Sequence, residues 1–187
     1  MGRLTKEEHY AEFNSHIREI LDSDIIYEMK NYMQHGGTTC FQHCINVAYY
    51  NYRMCRALRL DTRSAVRAGM LHDFFLYDWH AYGKEHFWKK NHALHHPRAA
   101  LENARKHFAI NDKEADIILK HMFPLAKMPR YRETFIIALS DKYCTLGETF
   151  SPVVSAIRRK LRGAKRRLRK FQKQLALQTG AIIQKKL

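Results

Sequence analysis

Between Cys40 and Leu58 the chain reads CFQHCINVAYYNYRMCRAL, and Phe41, Ile45, Ala48, Tyr52 and Cys55 fall at intervals of three and four. That period sets the five on one face of an α-helix, and it governs nearly the whole sequence. Pro is scarce, at 4 in 187 residues. No alternating apolar run is bounded by hairpin turn residues, so an all-α fold is expected: a single helical bundle with an extra helix at the C-terminal end. A first helix is predicted from Thr5 to Leu21. A second, starting at Ser23 or Asp24 through IIYEMKNYMQ, is ended by His35-Gly36-Gly37. Thr38 or Thr39 starts the third, and Asp61 or Thr62 caps a fourth, RSAVRAGMLHDFFL. Residues 76–96 read as a loop rich in His, Tyr and Trp, after which Pro97 opens PRAALENARKHFA from a first-turn position. Asn111 or Asp112 caps DKEADIILKHM, YRETFIIALSDKYCTLGE follows, and Ser151-Pro152 opens the last helix.

Charge divides the chain. Residues 1–150 hold 21 Lys and Arg against 18 Asp and Glu, a net of +3, while residues 151–187 hold 12 Lys and Arg and no acid. The expected organisation is therefore a nearly neutral domain over 1–150 and a basic amphipathic helix over 151–187. The start, MGRLTKEEHYAEF, lacks an apolar signal core, and no run of about 18 apolar residues predicts a transmembrane segment. Cys40, Cys44, Cys55 and Cys144 match no zinc-ribbon spacing and read as buried thiols in a reducing cytoplasm.

Of the 12 histidines, eight lie between positions 72 and 121. Neutral imidazole is a good metal donor near pH 7. The sharpest element is Gly69-Met70-Leu71-His72-Asp73, where adjacent His and Asp end an apolar helix. Neighbouring side chains point about 100° apart on a helix, so both reach one ion only at a helix end. A buried Asp needs a cation or partner. His43 stands 29 residues earlier on an apolar helix, and Asp141 follows the apolar stretch Phe135–Leu139.

His43, His72-Asp73 and Asp141, in this order and helical context, resemble the HD superfamily of metal-dependent phosphohydrolases over residues 35–150. The resemblance implies an HD-type helical bundle in which His43, His72, Asp73 and Asp141 hold a divalent metal. The family includes two-metal members such as the HD-GYP phosphodiesterases, whose additional histidines stand before a Pro-initiated helix and near the end of the next. His96 and His121 occupy those places. Their alternative reading is a helix-start residue facing solvent and a helix-end residue favoured by the dipole. Met122 stands where those members often have a second His, and Phe74-Phe75 replaces their Ile-Gly, so cyclic-dinucleotide specificity does not carry over.

The implied activity is hydrolysis of a phosphate ester, a nucleotide or phosphodiester, by metal-activated water. Mixed imidazole and carboxylate donors suit one or two ions of Mn, Fe, Co, Ni or Zn. Asp73 is then part of the catalytic centre. Asp78, five residues on, is a candidate general acid or base, or alternatively a turn cap. Lys142, Arg98, Arg130 and Arg132 are candidates for phosphate contact, against the alternative of solvated surface charge. The aromatic loop (Phe74, Phe75, Tyr77, Trp79, Tyr82, Phe87, Trp88) reads as core, as a lid, or as a surface on which a base stacks.

In the basic segment, Val154, Ile157, Leu161, Ala164, Leu168, Phe171 and Leu175 form a heptad seam. It reads as a helix packing that seam on the domain or a partner helix, or as a surface for nucleic acid or an anionic membrane. The contrasting function is a non-catalytic, metal-stabilised scaffold whose tail binds nucleic acid or a protein partner.

Overall fold

The computed structural model of the chain describes residues 4–78 and 92–184, excepting the side chains at 35, 92–94, 164 and 168–184. Trp79, Tyr82, Phe87 and Trp88 of the proposed aromatic loop fall outside the described residues, as do the side chains of Ala164, Leu168, Phe171 and Leu175. The chain divides into two units, Met1–Thr149 and Phe150–Leu187.

The first unit is helical, and its helices begin where short polar side chains can take orphan N–H groups. α1 (Lys6–Leu21) has a capping box between Thr5 and Glu8. A 3-10 helix (Asp24–Asn31) follows. α2 (Cys40–Ala57) is capped by Thr39, and α3 (Thr62–Leu71) by Asp61. α4 runs His92–His107, and α5 (Asp112–Lys120) starts with a capping box between Asn111 and Glu114. α6 runs Arg132–Gln184.

Four expectations need correction. α3 stops at Leu71 rather than running through Leu76. Gly36-Gly37 does not end a helix; it turns an antiparallel hairpin of β1 (Met33–His35) and β2 (Thr38–Thr39). Both glycines have positive φ, +59° and +111°, the conformation a two-residue hairpin turn demands and only glycine takes freely. α4 begins at His92, so Pro97 lies in its second turn rather than opening it; the missing N–H costs one ladder bond there without ending the helix. Likewise Pro152 lies inside α6 instead of opening a new helix, because the flanking turns keep their own bonds.

α2 and α3 pack closely at Gly69. A Cβ there would meet Ala48 Cα at 2.9 Å and Asn51 Nδ2 at 2.8 Å, so only glycine permits this backbone approach. Asn51 Nδ2 also donates to Ala65 O at 3.2 Å, tying the two helices. Val47, Ala48, Tyr52, Met70, Leu71, Phe74, Ile117, Ile118 and Ile137 share the core, each large side chain contributing about 1.5–3 kcal/mol by leaving water. Phe74 of the aromatic loop is thus core.

Charged groups also cross the core. Arg67 of α3 is buried, with Nε on Glu114 Oε1 at 2.7 Å, one Nη on Glu19 Oε2 at 2.7 Å and the other on Ala109 O at 2.9 Å. Three acceptors satisfy a guanidinium whose unpaired burial would be costly. The four cysteines are buried free thiols.

In the second unit the described seam residues Val154, Ile157 and Leu161 are 43%, 52% and 65% exposed. The described basic side chains Arg158, Arg159, Lys160, Arg162, Lys165, Arg166 and Arg167 are exposed as well. No helix of the described residues is long and apolar enough to cross a membrane.

Candidate metal centre

Helix ends place the central pair. His72 is the C-cap residue of α3, and Asp73 lies in the turn beyond it. Both side chains are buried and lie side by side, His72 Nε2 3.4 Å from Asp73 Oδ2. His43, in the first turn of α2, sends Nε2 to within 3.0 Å of Asp141 Oδ1 and 3.8 Å of Asp73 Oδ2. His72 Nε2 lies 3.7 Å from the same Asp141 oxygen. On the other side of the carboxylate, Asp73 Oδ1 is 3.2 Å from His96 Nε2 and 3.6 Å from His121 Nε2. Those two ring nitrogens stand 2.9 Å apart. The six side chains His43, His72, Asp73, His96, His121 and Asp141 therefore meet in one buried cluster.

Ring orientation is fixed from behind. His72 Nδ1 is 2.8 Å from Gly69 O, and His121 Nδ1 is 2.8 Å from Ile118 O. An Nδ1–H given to a carbonyl leaves the Nε2 lone pair facing the cluster, the tautomer a metal ligand needs. His43 Nδ1 instead lies 2.8 Å from Glu148 Oε2. Asp73 Oδ2 accepts from Gln34 Nε2 at 2.5 Å, and Cys40 Sγ donates to Asp73 O at 3.2 Å.

The donor set fits a divalent cation. Among the described residues, His72 Nε2 and Asp73 Oδ1 are buried without a well-aligned hydrogen bond, although His96 Nε2 approaches Asp73 Oδ1 at 3.2 Å. That condition is costly unless another acceptor of their lone pairs is bound. Donors at bond lengths of about 2.0–2.2 Å lie roughly 3–3.5 Å apart around one ion. His43, His72 and Asp141 form one set with donor atoms within 4.8 Å of one another, and His72, Asp73 and His121 form another.

Electrostatics agree with this. Burial works against ionisation of Asp73 and Asp141, but hydrogen bonds and charges from the surrounding histidines hold both well below the usual carboxylate range. Burial, with the neighbouring His72 and His96, takes His121 down to about 3, so it stays neutral. Burial also opposes a charge on His43, yet hydrogen bonds to Asp141 and Glu148 push it up to about 10. Proton and cation thus compete for the same lone pair on His43.

Asp78 is exposed and follows Tyr77, whose ring meets Phe75 at 4.9 Å; Phe75 in turn packs edge-on to His96 at 5.9 Å. Lys142 Nζ donates to Phe123 O. Arg98 and Arg132 are exposed. Arg130 is exposed too, its guanidinium 5.5 Å from the Tyr131 ring centre. Among the described contacts, none joins these cations to the cluster. Gln34 and Glu148 escaped the sequence reading. Glu148 lies seven residues after Asp141, two turns along the same face of α6, and that spacing was the available signal.

The family model described as HD domain matches residues 40–146. Comparison with the curated proteins and with the solved structures gave no match.

Proposed function

The chain belongs to the HD domain family, whose members are in general metal-dependent phosphohydrolases, and from that premise we propose that residues 1–150 hydrolyse a small phosphate ester, a nucleotide or a phosphodiester. The observation that carries the reading is the pair of buried donor atoms, His72 Nε2 and Asp73 Oδ1, that lack a well-aligned hydrogen bond among the described residues at the centre of the cluster. His43, His72, Asp73 and Asp141 would hold one ion, and Asp73, His96 and His121 a second. Divalent cations of the Mn, Fe, Co, Ni or Zn type supply Lewis acidity, making a neighbouring water a hydroxide source near neutral pH and drawing charge from a phosphoryl oxygen.

The chain's own groups have separate tasks in this reading. Asp73 turns Oδ2 toward His43 and His72 and Oδ1 toward His96 and His121, so one carboxylate serves both donor sets. Gln34 fixes the plane of that carboxylate. Asp78 would move a proton to or from the attacking water or leaving group. Lys142 would exchange the Phe123 carbonyl for a phosphoryl oxygen, with Arg98, Arg130 and Arg132 as further anion contacts. Phe75 keeps bulk water from His96.

A second reading concerns residues 151–187 alone. Their 12 Lys and Arg, of which those between Arg158 and Arg167 are described and exposed, favour contact with a polyanion, a nucleic acid before an anionic surface, whether or not the first 150 residues turn over substrate. A panel of nucleoside monophosphates, dinucleotides and cyclic nucleotides, each assayed with Mn, Co, Ni and Zn, tests the proposed activity. Release of phosphate or of a nucleotide supports it and reports the ester class; no release with any metal favours the scaffold alternative.

A further inference from the structure

Three histidines of the cluster turn a ring Nδ1 toward an identified acceptor, and they do not find it in the same way. His72 and His121 are C-cap residues of α3 and α5. The last carbonyls of a helix have no ladder partner, so Gly69 O and Ile118 O, three residues back, are available to their Nδ1–H groups. His43 stands in the first turn of α2, where the carbonyls behind it are already engaged by the helix. A ligand histidine at that position needs an acceptor from elsewhere in the fold.

The geometry points to Glu148 as that acceptor: a positioning residue that holds His43 in the Nδ1–H tautomer so that Nε2 keeps its lone pair for the ion. Oε2 of Glu148 is 2.8 Å from His43 Nδ1, and Oε1 accepts from Asn46 Nδ2 at 2.8 Å. Asn46 cannot turn its amide over without loss, because its own Oδ1 accepts from Gln42 Nε2 at 3.0 Å. Both oxygens of the carboxylate are thereby assigned. The backbone is held as well: a Cβ on Gly36 would clash with Glu148 O, so the Gly-Gly turn of the hairpin seats directly on residue 148. The same hairpin carries Gln34 to Asp73. One small element thus steadies the supports of two proposed ligands, His43 and Asp73.

This assignment rests on the metal-centre reading, and it is tested by binding rather than by turnover. Zinc affinity of the full chain is measured by chelator competition for wild type, Glu148→Gln and the double variant Asn46→Asp/Glu148→Gln. In Glu148→Gln the new amide either faces the Asn46 amide donor to donor or offers N–H to His43. Zinc affinity should fall 10–100-fold, the usual cost of losing such a support. The double variant restores an acceptor for each donor and keeps the net charge, so it should recover most of the loss. In zinc-loaded, histidine-labelled wild type, proton-nitrogen NMR should show a slowly exchanging Nδ1–H on His43 that Glu148→Gln loses, a change that a purely structural role would not produce. Should Glu148→Gln not fold, Asn46→Ala, which touches no donor of the cluster, should weaken zinc in the same direction. Wild type that binds zinc while Glu148→Gln, or Asn46→Ala in its place, binds it equally well with the Nδ1–H signal intact overturns the Glu148 assignment alone. Wild type that binds no zinc overturns the metal centre and the assignment together.

Discussion

His43 Nε2 lies 3.0 Å from Asp141 Oδ1, across 98 positions of sequence. The contact exists because α2 carries His43 into the core while α6 brings Asp141 to the same point, and because α2 can settle closely on α3. That settling depends on Gly69.

Gly69→Ala should therefore disturb stability and site together. The added Cβ would sit 2.9 Å from Ala48 Cα, a backbone atom that cannot swing aside. A loss of about 1–3 kcal/mol is expected from overpacking, read as a lower urea midpoint. Because the shifted helices carry His43 and His72, metal affinity should fall as well. Unchanged stability would mean that the helices have room that the structure denies them.

Nuclearity is read from metal content. Loaded wild type should approach two ions per chain, and His121→Ala about one, because His121 and His96 approach Asp73 at Oδ1. Elemental analysis after gel filtration makes the measurement. If wild type holds only one ion and His121→Ala keeps it, His96 and His121 are structural and the centre holds one ion; a variant that retains two ions removes His121 from the ligand set.

At the end of α2, Arg59 has φ +55°. Its N–H bonds Arg56 O at 3.2 Å, and the Leu60 N–H bonds Cys55 O at 2.8 Å, the paired bonds of a helix stop that favours glycine. Arg59→Gly removes the clash of a left-handed Cβ, worth about 1–2 kcal/mol. Its urea midpoint should rise, with activity unchanged.

Much of this organisation is legible in the sequence, and its failures have a common cause. Asp61 and Asn111 are among the caps the sequence offers, each beside one alternative, because capping is decided within four residues. His43, His72, Asp73 and Asp141 stand out because each is polar within or beside an apolar stretch. Gly36-Gly37 is ambiguous locally: two glycines suit a helix stop or a hairpin turn, and only the pairing of Met33 with Thr39 decides. Pro97 and Pro152 suggest helix starts, yet the turns on either side of each keep enough bonds to continue. Glu148 is one acid among others until the fold sets it beside His43.

Residues 151–187 should bind long polyanions in a salt-dependent manner. Removing them takes away 12 Lys and Arg. The shortened chain should keep its metal, which the first unit's residues are proposed to hold, and lose nucleic-acid affinity with a flatter salt dependence. Filter binding of a long single strand across a salt series checks this, and equal affinity with and without the segment would contradict it.

The most direct test of the metal-dependent hydrolase is the rate of phosphate-ester cleavage before chelation, after chelation, and after returning each divalent ion, for wild type and Asp73→Ala. Wild-type activity should be abolished by the chelator and restored by at least one of Mn, Fe, Co, Ni or Zn, and Asp73→Ala should show neither activity nor retained metal. Cleavage that persists in metal-free protein, or that survives Asp73→Ala, would contradict it.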